Sequence, residues 1–200
     1  MRTIVAFRAR DCCGYSFAML FGDRDTFAIE AMVEPDLKPP SPVWGRIRVW
    51  CEGRCIGDYD EPYCALYDSY RGFQRLEREL SSLWRPEFEG LGDFELWDLL
   101  DGALYGCGDD PRSFDEMVRD RRTYGACDFL TNWSPSFDGG GKSFIVLPPG
   151  GDVHILNGVK LREQGAALQV PPDQVLTAIR AYVVWFEEQA AALGYPVVGT

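Results

Sequence analysis

The chain lacks most of the marks by which an enzyme declares itself. It has no GxSxG, HExxH or dinucleotide-binding fingerprint, and one histidine in 200 residues. That residue, His154, sits inside a strand-like run. A Cys–His nucleophile pair is available on paper, but no local signature surrounds it, and a lone strand histidine reads first as structural or exposed. Positive charge is scarce too. Lys and Arg number 20 against 31 Asp and Glu, a net charge of −11. This argues against a nucleic-acid partner, whose phosphates are neutralised by clustered cations. The most basic stretch, Arg119 to Arg122, reads as a solvated helix end, where cations suit the helix dipole. There is no signal peptide and no extended apolar run, so no membrane is expected. No internal repeat or low-complexity segment stands out.

Cysteine is present but unpaired in number. The seven are Cys12, Cys13, Cys51, Cys55, Cys64, Cys107 and Cys127. An odd count without an export signal points to free thiols in a reducing cytoplasm. Cys51 and Cys55 are spaced too widely for a zinc knuckle, and no second Cys or His pair follows, so they read as small apolar strand residues. A vicinal Cys12–Cys13 disulfide would be strained. No metal and no cofactor are expected. Paired carboxylates occur at Asp23/Asp25, Asp58/Asp60 and Asp109/Asp110. From such pairs a glycosidase or metal-dependent hydrolase can be built, but acids in turns are also ordinary turn formers.

What the chain does have is enough apolar and aromatic content for a folded unit, and the length suits one domain over residues 1–200. Thr26–Val33 and Val43–Trp50 are rich in β-branched and aromatic residues, and Pro35 to Pro42 separates them with four prolines. In the second run Ile47 and Val49 fall on one face, while Arg46, Arg48 and Trp50 fall on the other. Glu52-Gly53 turns the chain back, and with Thr3–Phe7 and Tyr15–Phe21 a four- to five-stranded antiparallel meander results. Leu66, Tyr70, Phe73, Leu76, Leu80 and Leu83 then recur at helical spacing, with Gly72 a weak spot and Pro86 the end. A second helical face carries Phe94, Trp97, Leu100 and Leu104 after Asp93, and Ser113 with Glu116 forms a capping box. A second meander is expected from Ser143–Leu147, Val153–Leu156 and Val159–Glu163, with Asn157-Gly158 as a type I′ hairpin turn. The longest helix runs from Asp173 to Leu193, burying Val175, Ile179, Tyr182, Val183 and Phe186 and closed by Gly194. The glycine-rich Thr131–Lys142 resembles a phosphate loop only at Gly141-Lys142-Ser143. The first glycine of that pattern is replaced by Ser136, and a strand follows where a helix is needed, so a flexible hairpin loop is expected. The fold class is therefore α+β, a mostly antiparallel sheet made of two meanders with about three helices packed on it.

Phe21-Gly22-Asp23 with Phe27-Ala28-Ile29-Glu30, then Trp44-Gly45-Arg46 and Ile56-Gly57-Asp58-Tyr59, resembles the immunity protein 42 family. Members neutralise the toxin domains of bacterial polymorphic toxin and contact-dependent inhibition systems. The likeness is densest over Met19 to Leu76 and returns at Asp152–Leu156, Val170-Pro171-Pro172 and the helix through Trp185-Phe186, while Glu87 to Gly141 has no match. The resemblance implies a cytoplasmic protein, not an enzyme, that binds a cognate toxin stoichiometrically. An acidic surface suits a basic toxin cleft, as on a nuclease. On that footing the toxin-binding candidates are the loop residues Asp58, Tyr59, Asp60 and Glu61, then Asp109, Asp110 and Trp133. The rival readings are a small hydrolase, with His154 near a cysteine or two carboxylates of raised pKa, and a scaffold whose partner is not a toxin.

Overall fold

The computed structural model describes residues 18–106 and 112–195. The expected strand Thr3–Phe7, the start of the Tyr15 run, Asp109, Asp110 and the end of the C-terminal tail lie outside them. The described chain is α+β, with two antiparallel sheets and one continuous apolar core.

The first sheet holds β1 (Met19–Gly22), β2 (Phe27–Val33), β3 (Trp44–Cys51) and β4 (Arg54–Ile56) in chain order, with β5 (Cys64–Ala65) also pairing β3. Register follows from the period of two: Ile29 opposes Val49 and Ala31 opposes Ile47, all fully buried. The β3–β4 turn is Glu52-Gly53, at φ 49° and 75°. Two consecutive left-handed residues are what a two-residue turn matching strand twist requires. The buried face receives α1 (Leu66–Glu79) and α6 (Pro172–Ala192). Tyr70 stacks on Phe186 with ring centroids 4.4 Å apart, and the fully buried Tyr182 reaches Phe21 edge-on at 5.9 Å. Val183, expected on the inner face of α6, is only half-buried, and Trp185 is buried instead.

The second sheet runs β6 (Asp128–Phe129), β7 (Ser143–Val146), β8 (Val153–Asn157), β9 (Leu168–Val170). Every residue of β7 is buried. On it lies α2 (Asp93–Leu104); Trp97 within the helix and Tyr105 just past its end bring their rings to 5.9 and 6.2 Å from Phe144. Leu96 and Leu100 form the buried face of α2, whereas Phe94, expected there, is 45% exposed. Helix α3 (Phe114–Tyr124) begins at the expected box: Ser113 Oγ accepts from Glu116 N–H, and the Glu116 carboxylate accepts from Ser113 N–H.

Six α-helices are described where about three were expected. Two of the additional ones are short and correct the sequence reading directly. Residues 158–164 form α5 (Gly158–Gln164), not a strand. Asn157, at φ −87°, cannot begin a type I′ turn; it caps the helix by accepting from Lys160 N–H at 3.0 Å. Its amide donates to Gly140 O and Ser143 Oγ, and a Cβ on Gly158 would lie 2.9 Å from the Trp97 ring. Tertiary contacts thus overrode a strong local turn signal. The hairpin between β6 and β7 is not loose, because it contains α4 (Pro135–Asp138) and buries Ser134, Ser136 and Phe137. Trp133 within it is 7% exposed and lies on Gly72, where a Cβ would sit 2.5 Å from the indole. The glycine that weakens α1 intrinsically is the one that admits this ring.

Candidate functional site: the open face of the first sheet and its acidic turn

The other face of the first sheet, away from the apolar side chains that α1 and α6 cover, carries the polar residues of β3. Alternation along β3 puts Arg46, Arg48 and Trp50 there, and Glu30 opposes Arg48 across β2. Glu30 is 5% exposed, and a carboxylate so buried needs donors. It has three: its Oε2 accepts from Arg24 Nη2 at 3.0 Å, Arg48 Nε at 3.0 Å and Trp50 Nε1 at 2.7 Å. Burial alone would raise its pKa. The hydrogen bonds from Arg48 and Trp50 and the charges of Arg48 and Arg24 outweigh burial and hold it below the usual range. The same cations stack on aromatic rings. Arg24 and Arg48 lie 4.7 and 4.8 Å from the Trp50 ring centre, and Arg48 lies 4.5 Å from that of Tyr59. The result is a ladder of alternating rungs, Arg24–Trp50–Arg48–Tyr59, standing on Glu30. Beside it Arg46 Nε donates to Glu34 at 3.0 Å.

Tyr59 leads into the turn that the sequence singled out. Asp58, Asp60 and Glu61 are exposed. Asp58 Oδ1 accepts from Asp60 N–H at 2.9 Å, the self-capping that makes Asp a turn former, and Asp58 N–H donates to Ser136 O at 2.6 Å. Phe137 packs under Gly57, whose φ of +107° and lack of Cβ allow the close approach. The turn is therefore anchored to the α4 hairpin and presents its carboxylates outward. Tyr59 is half-buried, and its hydroxyl is buried with no hydrogen-bond partner among the described residues. Behind the turn a cleft of about 410 Å³ opens between β4, the α4 hairpin and α5, lined by Cys55, Asp58, Asn157 and Lys160 among others.

Of the remaining candidates, Asp109 and Asp110 lie outside the described residues. Trp133 was expected as an exposed anchor and is instead a core residue, edge-on to Phe73 and Phe129 at 5.2 and 5.6 Å. Sequence reasoning saw that Arg46, Arg48 and Trp50 share a face but passed over Glu30 and Arg24. Burial of Glu30 becomes readable only once the register sets it opposite Arg48.

The groups on which the zinc and hydrolase readings drew each have a place of their own in the fold. Cys51 pairs with Arg54 and Cys55 with Trp50, so the two thiols face opposite sides of the sheet. Burial raises the pKa of the Cys51 thiol and pushes that of Cys127 up to about 12, which leaves little thiolate at neutral pH. His154 Nδ1 lies 3.2 Å from Asp93 Oδ1, and Asp93 Oδ2 accepts from Ala167 N–H at 2.8 Å, a link that ties α2 to β8 and the approach to β9. The carboxylate raised by burial is Asp128, which accepts from Tyr105 Oη at 2.8 Å and faces Arg121 at 3.4 Å. Among the described residues no helix is long and apolar enough to cross a membrane.

Comparison with known proteins agrees with this architecture. The crystal structure of CdiI from Burkholderia dolosa AUO158 superposes with a TM-score of 0.57, covering 84% of this chain and 99% of that one at 14% identity, a likeness of fold. No curated protein matches the chain. The family model described as immunity protein 42 matches residues 19–164. That match runs through the Glu87–Gly141 segment, in which the residues show no likeness, and it stops before Val170–Pro172 and the Trp185–Phe186 helix, where the residue resemblance resumes. With that model covering well over half of its length, the chain belongs to the immunity protein 42 family, and as an immunity protein it neutralises a cognate toxin.

Proposed function

We propose that this chain acts as one stoichiometric binding domain, not an enzyme, and blocks a basic active-site cleft of its toxin with the acidic turn Asp58–Asp60–Glu61. The fold likeness to CdiI favours a toxin of a contact-dependent inhibition system, and the basic cleft fits a nuclease. The observation that carries the reading is the turn itself: three exposed carboxylates on a segment anchored through Ser136 and Phe137, in a chain of net charge −11. A rigid presentation lowers the ordering cost of binding. Opposite fields raise the association rate and make it salt-dependent. Asp109 and Asp110 are proposed as a second acidic contact, and Trp133 is assigned to the core.

The test is co-purification of the tagged protein with the toxin domain encoded beside it, followed by a salt titration. A one-to-one complex is expected, with association slowed by salt and slowed at least about ten-fold by Asp58→Lys/Asp60→Lys/Glu61→Lys. A tight complex indifferent to salt and to the triple reversal would move the contact elsewhere. Absence of any complex would remove the binding reading.

A further inference from the structure

The rungs on the open sheet face are a poor way to gain stability alone. A buried carboxylate that gathers three donors is often no better for folding than apolar residues of the same volume, because desolvation offsets the attraction. Around Glu30 this arrangement does something else. It fixes Arg24, Arg48 and Trp50 in one geometry before any partner arrives. Two guanidinium groups share one carboxylate oxygen, so the cluster keeps a surplus positive charge within a chain of net charge −11. Arg24 is 47% exposed, and its bond to Glu30 uses Nη2 alone of its nitrogens. A guanidinium has five N–H donors, so a bidentate acceptor can still be met. Trp, Tyr and Arg are also the residue types that dominate binding energy at protein interfaces. Through Tyr59 the cationic ladder is continuous with the acidic turn.

We propose that the Arg24–Trp50–Arg48–Tyr59 ladder is the specificity anchor for the toxin and takes an Asp or Glu carboxylate of the toxin domain on its guanidinium groups. The inference rests on the binding reading above and deepens it. The toxin surface that fits is bipolar: a basic patch for the Asp58–Glu61 turn with a carboxylate beside it for the ladder. The two halves act at different stages. Net acidity and the turn govern encounter, while the preorganised ladder governs residence and rejects a basic protein that lacks the carboxylate.

The experiment measures association and dissociation rates between the full chain and its adjacent toxin domain. Arg24→Gln and Arg24→Gln/Arg48→Gln are expected to raise the dissociation rate, by about ten-fold or more for the pair, with the association rate nearly unchanged. Arg180→Gln, the same charge change on α6 where Arg180 pairs Glu77, should alter neither. Single replacement of the toxin's acids by their amides should find one whose loss costs affinity for the wild type but not for the double variant, a non-additive cycle. Arg24 is half in solvent, so Arg24→Gln should keep the wild-type circular dichroism spectrum and lower the melting temperature by no more than a few degrees. If the turn variants weaken the complex and the ladder variants do not, this inference is overturned and the binding reading stands. If the ladder variants instead change the self-association of the free protein, the face belongs to a second copy and the inference is again overturned. If the wild type does not bind the toxin domain, both fall together.

Discussion

The two sheets solve the same problem in opposite ways. In the first, β3 alternates strictly between core and surface, so one face is apolar under α1 and α6 and the other is a network of cations, carboxylates and rings. In the second, β7 is buried at every position and β8 at all but His154, so neither face of these strands is left to solvent. The comparison shows where selection for function has room to act. A face that must pack is constrained at each methylene, whereas an open face can hold a polar network whose reason is recognition. Each sheet also holds a buried carboxylate of shifted pKa, and the surroundings drive the two apart: Glu30 is held down by two cations and an indole, while Asp128 is pushed up by burial that its partners do not offset.

The largest test of this contrast is truncation of one ring in each sheet. Phe144→Ala empties a fully buried site between Trp97 and Tyr105 and should cost about 3–5 kcal/mol in urea denaturation. Trp50→Ala on the open face loses one hydrogen bond and two cation–π contacts and should cost roughly 1–2 kcal/mol. Equal costs would mean that the open face is as structural as the core.

Acid titration sharpens the comparison through the two carboxylates. Because Glu30 is depressed when folded, its stabilising contribution is present above its ordinary value of 4.5 and is lost as pH falls through the lower folded value. Asp128 has the reverse sign. The folded chain takes up its proton before the unfolded chain does, so Asp128 offsets acid unfolding as pH falls through its raised value toward 3.8. Glu30→Gln should therefore flatten the loss of stability in acid and Asp128→Asn should steepen it, as read from denaturation midpoints across that range. Matching slopes in the two variants would contradict the opposed surroundings.

The smallest effect is expected at Tyr59→Phe. The hydroxyl is buried and without a partner among the described residues, so its removal should raise stability by up to about 1 kcal/mol while the ring keeps its place against Arg48. A loss of more than that would show that the hydroxyl is bonded in solution.

Much of the first sheet was readable before any coordinates, for a physical reason. Along β3 the alternation is strict, the turns are Gly-Asp and Glu-Gly, and α1 and α6 carry helical periods. The second sheet was harder to read because burial on both faces erases alternation. At Asn157-Gly158 a strong local signal pointed one way and tertiary contacts with Gly140, Ser143 and Trp97 the other. The site was half legible. Exposure of Asp58, Asp60 and Glu61 follows from turn chemistry, but burial of Trp133 depends on Gly72, more than sixty positions away. Likewise, the role of Glu30 depends on a cross-strand partner that spacing alone does not name. Long-range pairings of this kind are not encoded in any short window of sequence.

The most direct test of the central claim, that the open face of the first sheet is the functional one, is amide hydrogen exchange of the protein with and without its toxin domain. The account predicts slowed exchange across β3, β4 and the Asp58–Glu61 turn, with β7 and β8 unchanged. Protection confined to α6 or to the second sheet, with residues 44–61 unaffected, would contradict it.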